Sequence, residues 1–210
     1  MRGLYAIGIG YLGLCAYLIS GSSSSPTPLT ASIPASRNQA PSCSTPALGS
    51  KEAREWFCSV RASCNALEVA NRLRQHPAPS GWDGDGYAAS CYALGGRIDE
   101  ARNELASSDR PPQSSQILFE IGHRVADGGD DVSSGPIMDL VLEFWPENYQ
   151  AMYHAGMSAY GLKDFEKATR QLEAFKKMYT RDDFFGRNAS TALERMGAGL
   201  GPDRPNPGAH

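Results

Sequence analysis

The stretch NYQAMYHAGMSAYGLKDFEKATRQLEAFKKMY, residues 148–179, carries the clearest structural pattern of the chain. Asn148 suits the start of a helix that is expected to end near Gly161. Asp164 then suits the N-cap of a second helix, which is expected to reach Tyr179. Two helices joined by a short turn form a helical hairpin, and the stretch therefore predicts one.

Residues of similar type recur before this stretch with a regular period. Gly122 and Gly156 stand one such period apart, and each is expected inside the first helix of a hairpin. The equivalent second-helix positions are Leu105, Met138 and Leu172, and the equivalent turn positions are Gly96 and Gly129. No segment between residues 52 and 196 alternates with the period of two that is typical of a strand. A helix–turn–helix period of about 34 predicts an all-α domain of stacked repeats.

These repeated positions resemble the tetratricopeptide repeat family over about residues 82–182. The first unit carries the resemblance in YALGGRIDEA, residues 92–101, followed by Leu105. The next two units carry it at Leu118, Ile121, Gly122, Val125, Gly129, Pro146, Ala155, Gly156, Tyr160, Phe165, Ala168 and Leu172. Tryptophan is absent from the family's expected place in all three units. Residues 126–135 stand where the family has a tight turn, which predicts a late second helix with Pro136 in its first turn.

The resemblance implies a short right-handed solenoid of stacked helix–turn–helix repeats. Residues 183–196 are predicted to form a C-terminal capping helix, because a stack needs a polar outer face at its end. The side chains expected to face the stack are Phe184, Phe185, Leu193 and Met196. The side chains expected to face water are Arg187, Asn188 and Glu194.

The first helices of such an array line a concave groove, and the family resemblance implies that the groove receives an extended peptide or a helix of a partner protein. The residues predicted to bind the partner are Phe119, His123, Tyr153, Met157 and Tyr160. Aromatic side chains at these positions would act as rigid anchors. The alternative interpretation is that the same residues only close the hydrophobic core.

The N-terminal segment, residues 1–20, differs from the rest of the chain. No charged residue occurs from Gly3 to Ser20, and Arg2 precedes this apolar run. The pattern predicts a membrane-inserted signal anchor or a cleaved signal peptide, with a buried globular helix as a third interpretation. Either of the first two would place the body outside the cytoplasm, as a membrane-anchored or exported (periplasmic or extracellular) protein.

The remaining boundaries follow from composition. Residues 21–50 are mostly Ser, Pro, Thr and Ala, and they predict a disordered linker. The helical-repeat domain is expected over residues 51–196. Residues 197–210 are rich in Gly and Pro and predict a disordered tail.

Four cysteines lie outside the N-terminal segment, at Cys43, Cys58, Cys64 and Cys91. An even number in an exported chain predicts two disulfides, and three connectivities are open. Cys58 and Cys64 are close enough in sequence to clamp the turn of a hairpin. Buried free thiols are the alternative interpretation.

Several kinds of partner and chemistry are not expected. A net charge of −3 gives no basic field for nucleic acid. His123 has Glu120 three residues before it and Asp127 four residues after it, but one such group is too few for a di-iron bundle. His154 has no carboxylate or cysteine three or four residues away. The sequence therefore predicts no catalytic residue, no metal ligand, no cofactor and no small-molecule substrate.

The predicted function is that of an adaptor or scaffold of the cell envelope, which binds a partner protein and reaches the membrane through its N-terminal segment. The alternative is a permanent structural subunit of a larger membrane complex. An obligate interface of that kind buries more apolar area than a transient one. An enzyme with an unrecognised site is a third hypothesis, and no sequence motif supports it.

Overall fold

The computed structural model describes Cys43 and residues 45–202, so the apolar segment of residues 1–20 and most of the predicted linker lie outside the described residues. Within them the protein has nine α-helices, one turn of 3-10 helix at Arg61–Ser63, and no strand. The α-helices are α1 (Lys51–Val60), α2 (Val69–Gln75), α3 (Trp82–Leu94), α4 (Ile98–Ser107), α5 (Pro111–Asp127), α6 (Asp131–Phe144), α7 (Tyr149–Gly161), α8 (Phe165–Met178) and α9 (Phe184–Gly197). The all-α prediction is confirmed. None of these helices is both long enough and apolar enough to cross a membrane.

Three successive hairpins, α3–α4, α5–α6 and α7–α8, are closed by turns of the same geometry. Each turn contains one residue with φ between 65° and 76°, at Gly96, Gly129 and Lys163. The amide of the following residue donates a hydrogen bond to the carbonyl five positions earlier, at Arg97, Asp130 and Asp164. This arrangement satisfies carbonyls that the end of a helix leaves open. The same local structure therefore recurs at nearly equal intervals along the chain.

Close approach between the two helices of a hairpin also recurs. A Cβ atom added at Gly122 would lie 2.5 Å from Cγ2 of Ile137 on α6. A Cβ atom added at Gly156 would lie 2.7 Å from Cδ2 of Leu172 on α8. A larger residue at either position would have to displace the facing side chain or move the two helices apart, so glycine fits best there.

The helices pack in a regular order. Each of the first helices α3, α5 and α7 packs on its own second helix and on the first helix of the next hairpin. The last helix, α9, continues this order by packing on α7 and α8. Most of the apolar side chains buried between α3 and α7 belong to one cluster, and a second cluster joins α7, α8 and α9. The domain thus has a repeat-like arrangement of helical hairpins.

The start of α6 differs from the sequence-based expectation. Its first residue is Asp131 rather than Pro136, and the Asp130 side chain caps it by accepting a hydrogen bond from the Ser133 amide at 3.0 Å. Pro136 therefore lies inside the helix, where it has no amide to donate to the carbonyl of Val132. Val132 is exposed, so water can satisfy that carbonyl. The expected long loop is consequently a tight turn like the other two.

The described part of the chain begins to pack before residue 51. Cys43 is joined to Cys58 by a disulfide, and the buried hydroxyl of Tyr87 donates to the carbonyls of Pro46 and Leu48 at 3.2 and 3.1 Å. The predicted linker of residues 21–50 is therefore too long at its C-terminal end. A second disulfide joins Cys64 to Cys91 on α3. The two disulfides are confirmed, and the suggested clamp between Cys58 and Cys64 is replaced by this connectivity.

The orientation of α9 is another correction. Phe184 and Phe185 are 50% and 44% exposed, although both were expected to face the stack. The buried side chains of α9 are instead Ala189 and Ala192. Small residues on this face let α9 lie close to its neighbours, which turns the two phenylalanines at its start toward solvent. Beyond α9, the Arg195 guanidinium holds the carbonyl of Gly201 at 2.8 and 3.2 Å, so the expected tail of residues 197–210 is packed at its start.

Candidate functional site

The five residues predicted to bind a partner lie on the first helices, but they do not form an open groove. Phe119, Tyr153 and Tyr160 are buried, with 6% or less of each residue exposed. His123 and Met157 are partly exposed. The interpretation that the aromatic residues close the core therefore applies to three of the five positions, and an accessible site has to be sought beside them.

Helix α9 is the reason that the two tyrosines are covered. The Asn188 side-chain amide donates a hydrogen bond to the Tyr153 hydroxyl at 2.7 Å, and Arg195 Nε donates to the Tyr160 hydroxyl at 3.1 Å. Burial raises the pKa of the Tyr153 phenol, and the hydrogen bond from Asn188 lowers it by a smaller amount. Asn188 was expected to face water, and it faces α7 instead. Replacing either tyrosine would thus disturb the packing of α9.

Ring contacts run from Trp145, just after α6, across α5, α7 and α9. We call this chain of rings the aromatic row, and its members in order are Trp145, Phe119, His123, His154, Tyr153, Phe185 and Phe184. Successive ring centroids are between 4.7 and 6.1 Å apart. Beside its first member, Trp145, an open surface depression is lined by Pro112, Gln113 and Gln116.

The exposed end of the aromatic row lies where α8 is followed by α9. Phe184 and Phe185 pack edge to face with centroids 5.5 Å apart, and Phe185 contacts the buried Tyr153 ring at 5.3 Å. Tyr149, at the start of α7, is 39% exposed and stacks on Tyr179 at 5.3 Å. We refer to Tyr149, Phe184 and Phe185 as the C-terminal aromatic patch. The Phe185 ring is held by the buried Tyr153, and the Tyr149 ring by the half-buried Tyr179 and, at 6.5 Å, by the buried Phe175. These two rings are therefore presented to solvent with restricted freedom.

A second constellation lies at the middle of the row. His123 and Asp127 on α5 and His154 on α7 place their ligand-type atoms within 4.8 Å of one another. His123 Nε2 lies 3.6 Å from Asp127 Oδ1, and the two imidazole rings are 4.7 Å apart at an angle of 64°. His154 is the most enclosed of the three. Burial, with a smaller contribution from His123, lowers the pKa of His154 to about 4, and Asp127 opposes the shift.

The sequence patterns around His123 and His154 did not predict this histidine cluster, because they concern only neighbours on one helix. The repeat period of about 34 makes Met157 the equivalent of His123, and His154 stands about one helical turn before Met157. Since α5 and α7 pack side by side, that offset brings the two imidazoles together. The period itself was thus the signal that could have predicted the cluster.

Comparison of the chain with family models, with curated proteins and with solved structures gave no match. The tetratricopeptide resemblance consequently stays a prediction from the sequence.

Proposed function

We propose that this protein is a binding module of the cell envelope, built as a short right-handed solenoid of tetratricopeptide-like hairpins that holds a partner protein. The observation that carries the proposal is the recurrence of one turn geometry at nearly equal intervals, at Gly96, Gly129 and Lys163. Hairpins that repeat in this way bury their apolar faces against each other and leave extended surfaces for partners. The resemblance to the tetratricopeptide family supports the same class of function.

The compartment follows from the two disulfides. Disulfides form and persist in oxidising environments, so the pairs Cys43–Cys58 and Cys64–Cys91 indicate a location outside the cytoplasm. The apolar residues 1–20 would carry the chain to the membrane, as an anchor or as a cleaved signal. Residues 21–42 would then be a tether between the membrane and the packed body.

The surface that best fits a partner is the C-terminal aromatic patch, Tyr149, Phe184 and Phe185. Large aromatic side chains contribute much of the binding energy of protein interfaces, and they do so best when their rotamers are already restricted. The patch meets this condition because Phe185 packs on Tyr153 and Tyr149 stacks on Tyr179. We expect the partner to contribute an apolar helix or an extended peptide, because proteins commonly recognise each other through segments of these two kinds.

The test is crosslinking and affinity capture of the full-length chain from native membranes, followed by mass spectrometry. The variant Phe184→Ser/Phe185→Ser removes two half-exposed rings, of which Phe185 also contacts the buried Tyr153. The matched control is Leu67→Ser/Val132→Ser, which removes two other exposed apolar side chains far from the patch in sequence. We expect a small set of partners to be captured by the wild type and the control and to be lost with the phenylalanine variant.

Two outcomes would contradict the proposal. Capture of no partner by the wild type would reject a binding module, provided that circular dichroism shows the chain to be folded. A stoichiometric complex that is equally retained by both variants would instead favour a permanent structural subunit, held by a broader interface than the patch.

A further inference from the structure

We propose that His123, Asp127 and His154 form a binding site for a Zn²⁺ ion between α5 and α7. The proposal rests first on geometry. Two imidazoles and one carboxylate, contributed by two packed helices, have their ligand atoms within 4.8 Å of one another. The site is independent of the aromatic patch and goes beyond the proposed partner binding.

The surroundings of His154 are the second observation. Its ring is enclosed between the rings of His123 and Tyr153, with centroids 4.7 and 5.2 Å away. His154 is nevertheless only half-buried. Its ring nitrogens are not among the described polar atoms that are buried without a hydrogen-bond partner. An ion from solvent can therefore reach them.

The donor set favours zinc over harder cations. Imidazole nitrogens bind Zn²⁺ and neighbouring transition ions, whereas Mg²⁺ and Ca²⁺ require mostly oxygen ligands. Thiolates are not available as competing ligands nearby, because the four cysteines from Cys43 to Cys91 are paired in disulfides. Two histidines and one carboxylate are a known ligand set for a zinc ion that keeps one coordination position open.

Only small side-chain movements are needed to complete the site. Ligand atoms in a tetrahedral zinc site are about 3.3 Å apart, which follows from bond lengths of about 2.0 Å. His123 Nε2 and Asp127 Oδ1 are already 3.6 Å apart. Their side chains are 27% and 58% exposed, so both can rotate toward the more enclosed His154. The exposed side of the site would leave the fourth position to water.

An ion at this place would add a further link between two hairpins that already touch through apolar packing, the Lys167–Asp139 ion pair and the hydrogen bond from Ser158 to the Asp131 carbonyl. It would therefore stabilise the folded chain in proportion to the logarithm of the zinc concentration above its dissociation constant. The ion would also fix the two imidazoles at the centre of the aromatic row.

The experiment is a titration of ZnCl₂ into the EDTA-treated, oxidised full-length chain at neutral pH, followed by isothermal calorimetry and by thermal unfolding. The background variant is His76→Gln/His210→Gln, which leaves only the two clustered histidines of the four in the chain. We expect both the wild type and this background to bind one equivalent of Zn²⁺ and to unfold at a higher temperature when it is present.

Two variants in that background locate the site. His154→Gln should abolish the stoichiometric binding, and Asp127→Asn should weaken it at least about tenfold, since loss of a ligand costs no less than loss of a supporting contact. Asp127 is exposed, so its variant keeps the test valid even if His154→Gln fails to fold. Absence of saturable binding by the wild type, or equal binding by Asp127→Asn and its background, would overturn the proposal.

Discussion

The two ends of the described domain are closed by different means. At the N-terminal end, α1 and α2 contain 10 and 7 residues, and two disulfides tie this region together. At the C-terminal end, α7, α8 and α9 contain 13, 14 and 14 residues and no cysteine. Short helices bury little apolar area, so covalent links supply stability that packing alone does not.

Aromatic packing takes the place of disulfides at the C-terminal end. Phe175 is fully buried, and its ring contacts Tyr149, Tyr153 and Tyr179 at centroid distances between 4.9 and 6.5 Å. Among the described residues, the N-terminal end has one close pair of buried rings, Tyr87 and Phe57, with centroids 5.2 Å apart. Burial is the main reason that the pKa of Tyr87 is raised to about 12. The comparison indicates that longer helices with large aromatic side chains can close an array without covalent links.

The largest expected effect on stability comes from removing Phe175, the buried centre of the aromatic packing at the C-terminal end. Phe175→Ala should lower the free energy of unfolding by about 3–5 kcal/mol, because it leaves a cavity among three tyrosine rings. Urea unfolding followed by circular dichroism measures the change. The control Phe184→Ala removes a half-exposed ring and should cost less than about 0.5 kcal/mol. Equal losses for the two variants would show that the C-terminal end is not held by its aromatic core.

The next largest expected loss of stability comes from removing a disulfide at the N-terminal end. Cys64→Ala/Cys91→Ala removes a link that closes 27 residues, and the chain-entropy model predicts a loss of about 3.5 kcal/mol. Tryptophan fluorescence is the appropriate measurement, because Trp56 and Trp82 both pack against the buried side chains of the N-terminal end, which include Phe57, Val69 and Tyr87. The variant should unfold at lower urea by fluorescence than by circular dichroism, which reports the helices of both ends.

The matched control uses a reductant. Dithiothreitol should shift the fluorescence transition of the wild type and leave the double-alanine variant changed only by loss of Cys43–Cys58, a link across 15 residues. If reductant moved the fluorescence and circular dichroism transitions of the wild type by the same amount, the two ends would form one cooperative unit. The two ends would then differ in structure but would not unfold separately.

The hairpins could be predicted from the sequence because their determinants are local. Glycines at Gly96 and Gly129 and the capping carboxylate of Asp164 stand where the turns occur. Lys163 adopts φ of 65° at the equivalent place in the third turn, although lysine gives no sequence signal for that conformation. The start of α6 was missed because Pro136 suggested a first turn, whereas Asp130 provided the actual cap.

The candidate site was less predictable because it depends on contacts between distant residues. The burial of Tyr153 and Tyr160 follows from the rotation of α9, which is set by Ala189 and Ala192. A hydrophobicity pattern favours burial of phenylalanine over alanine, and it gave the opposite rotation. The histidine cluster likewise depends on the pairing of α5 with α7, which no single helix reveals.

The smallest expected effect tests whether the C-terminal end depends on a charge. Asp183 caps α9 by accepting hydrogen bonds from the amides of Phe185 and Gly186 at 3.1 Å. The hydrogen bond from the Tyr179 hydroxyl is the main cause that lowers the pKa of Asp183, and the helix amides add to it. A carboxylate with a lowered pKa stabilises the folded state fully above its unfolded value, which is about 3.9.

That stabilisation is lost as the pH falls through the lower pKa of the folded state. Asp183→Asn keeps a side-chain oxygen for the cap and removes the charge, so it should unfold at a lower temperature than the wild type at neutral pH. The difference between the two melting temperatures should shrink below about pH 4, as the wild-type carboxyl becomes protonated. Asp109→Asn is the control, since Asp109 caps no helix. A difference between the two melting temperatures that stayed constant down to pH 2 would mean that α9 is held by geometry and apolar packing alone. The C-terminal end would then be insensitive to charge as well as to reductant.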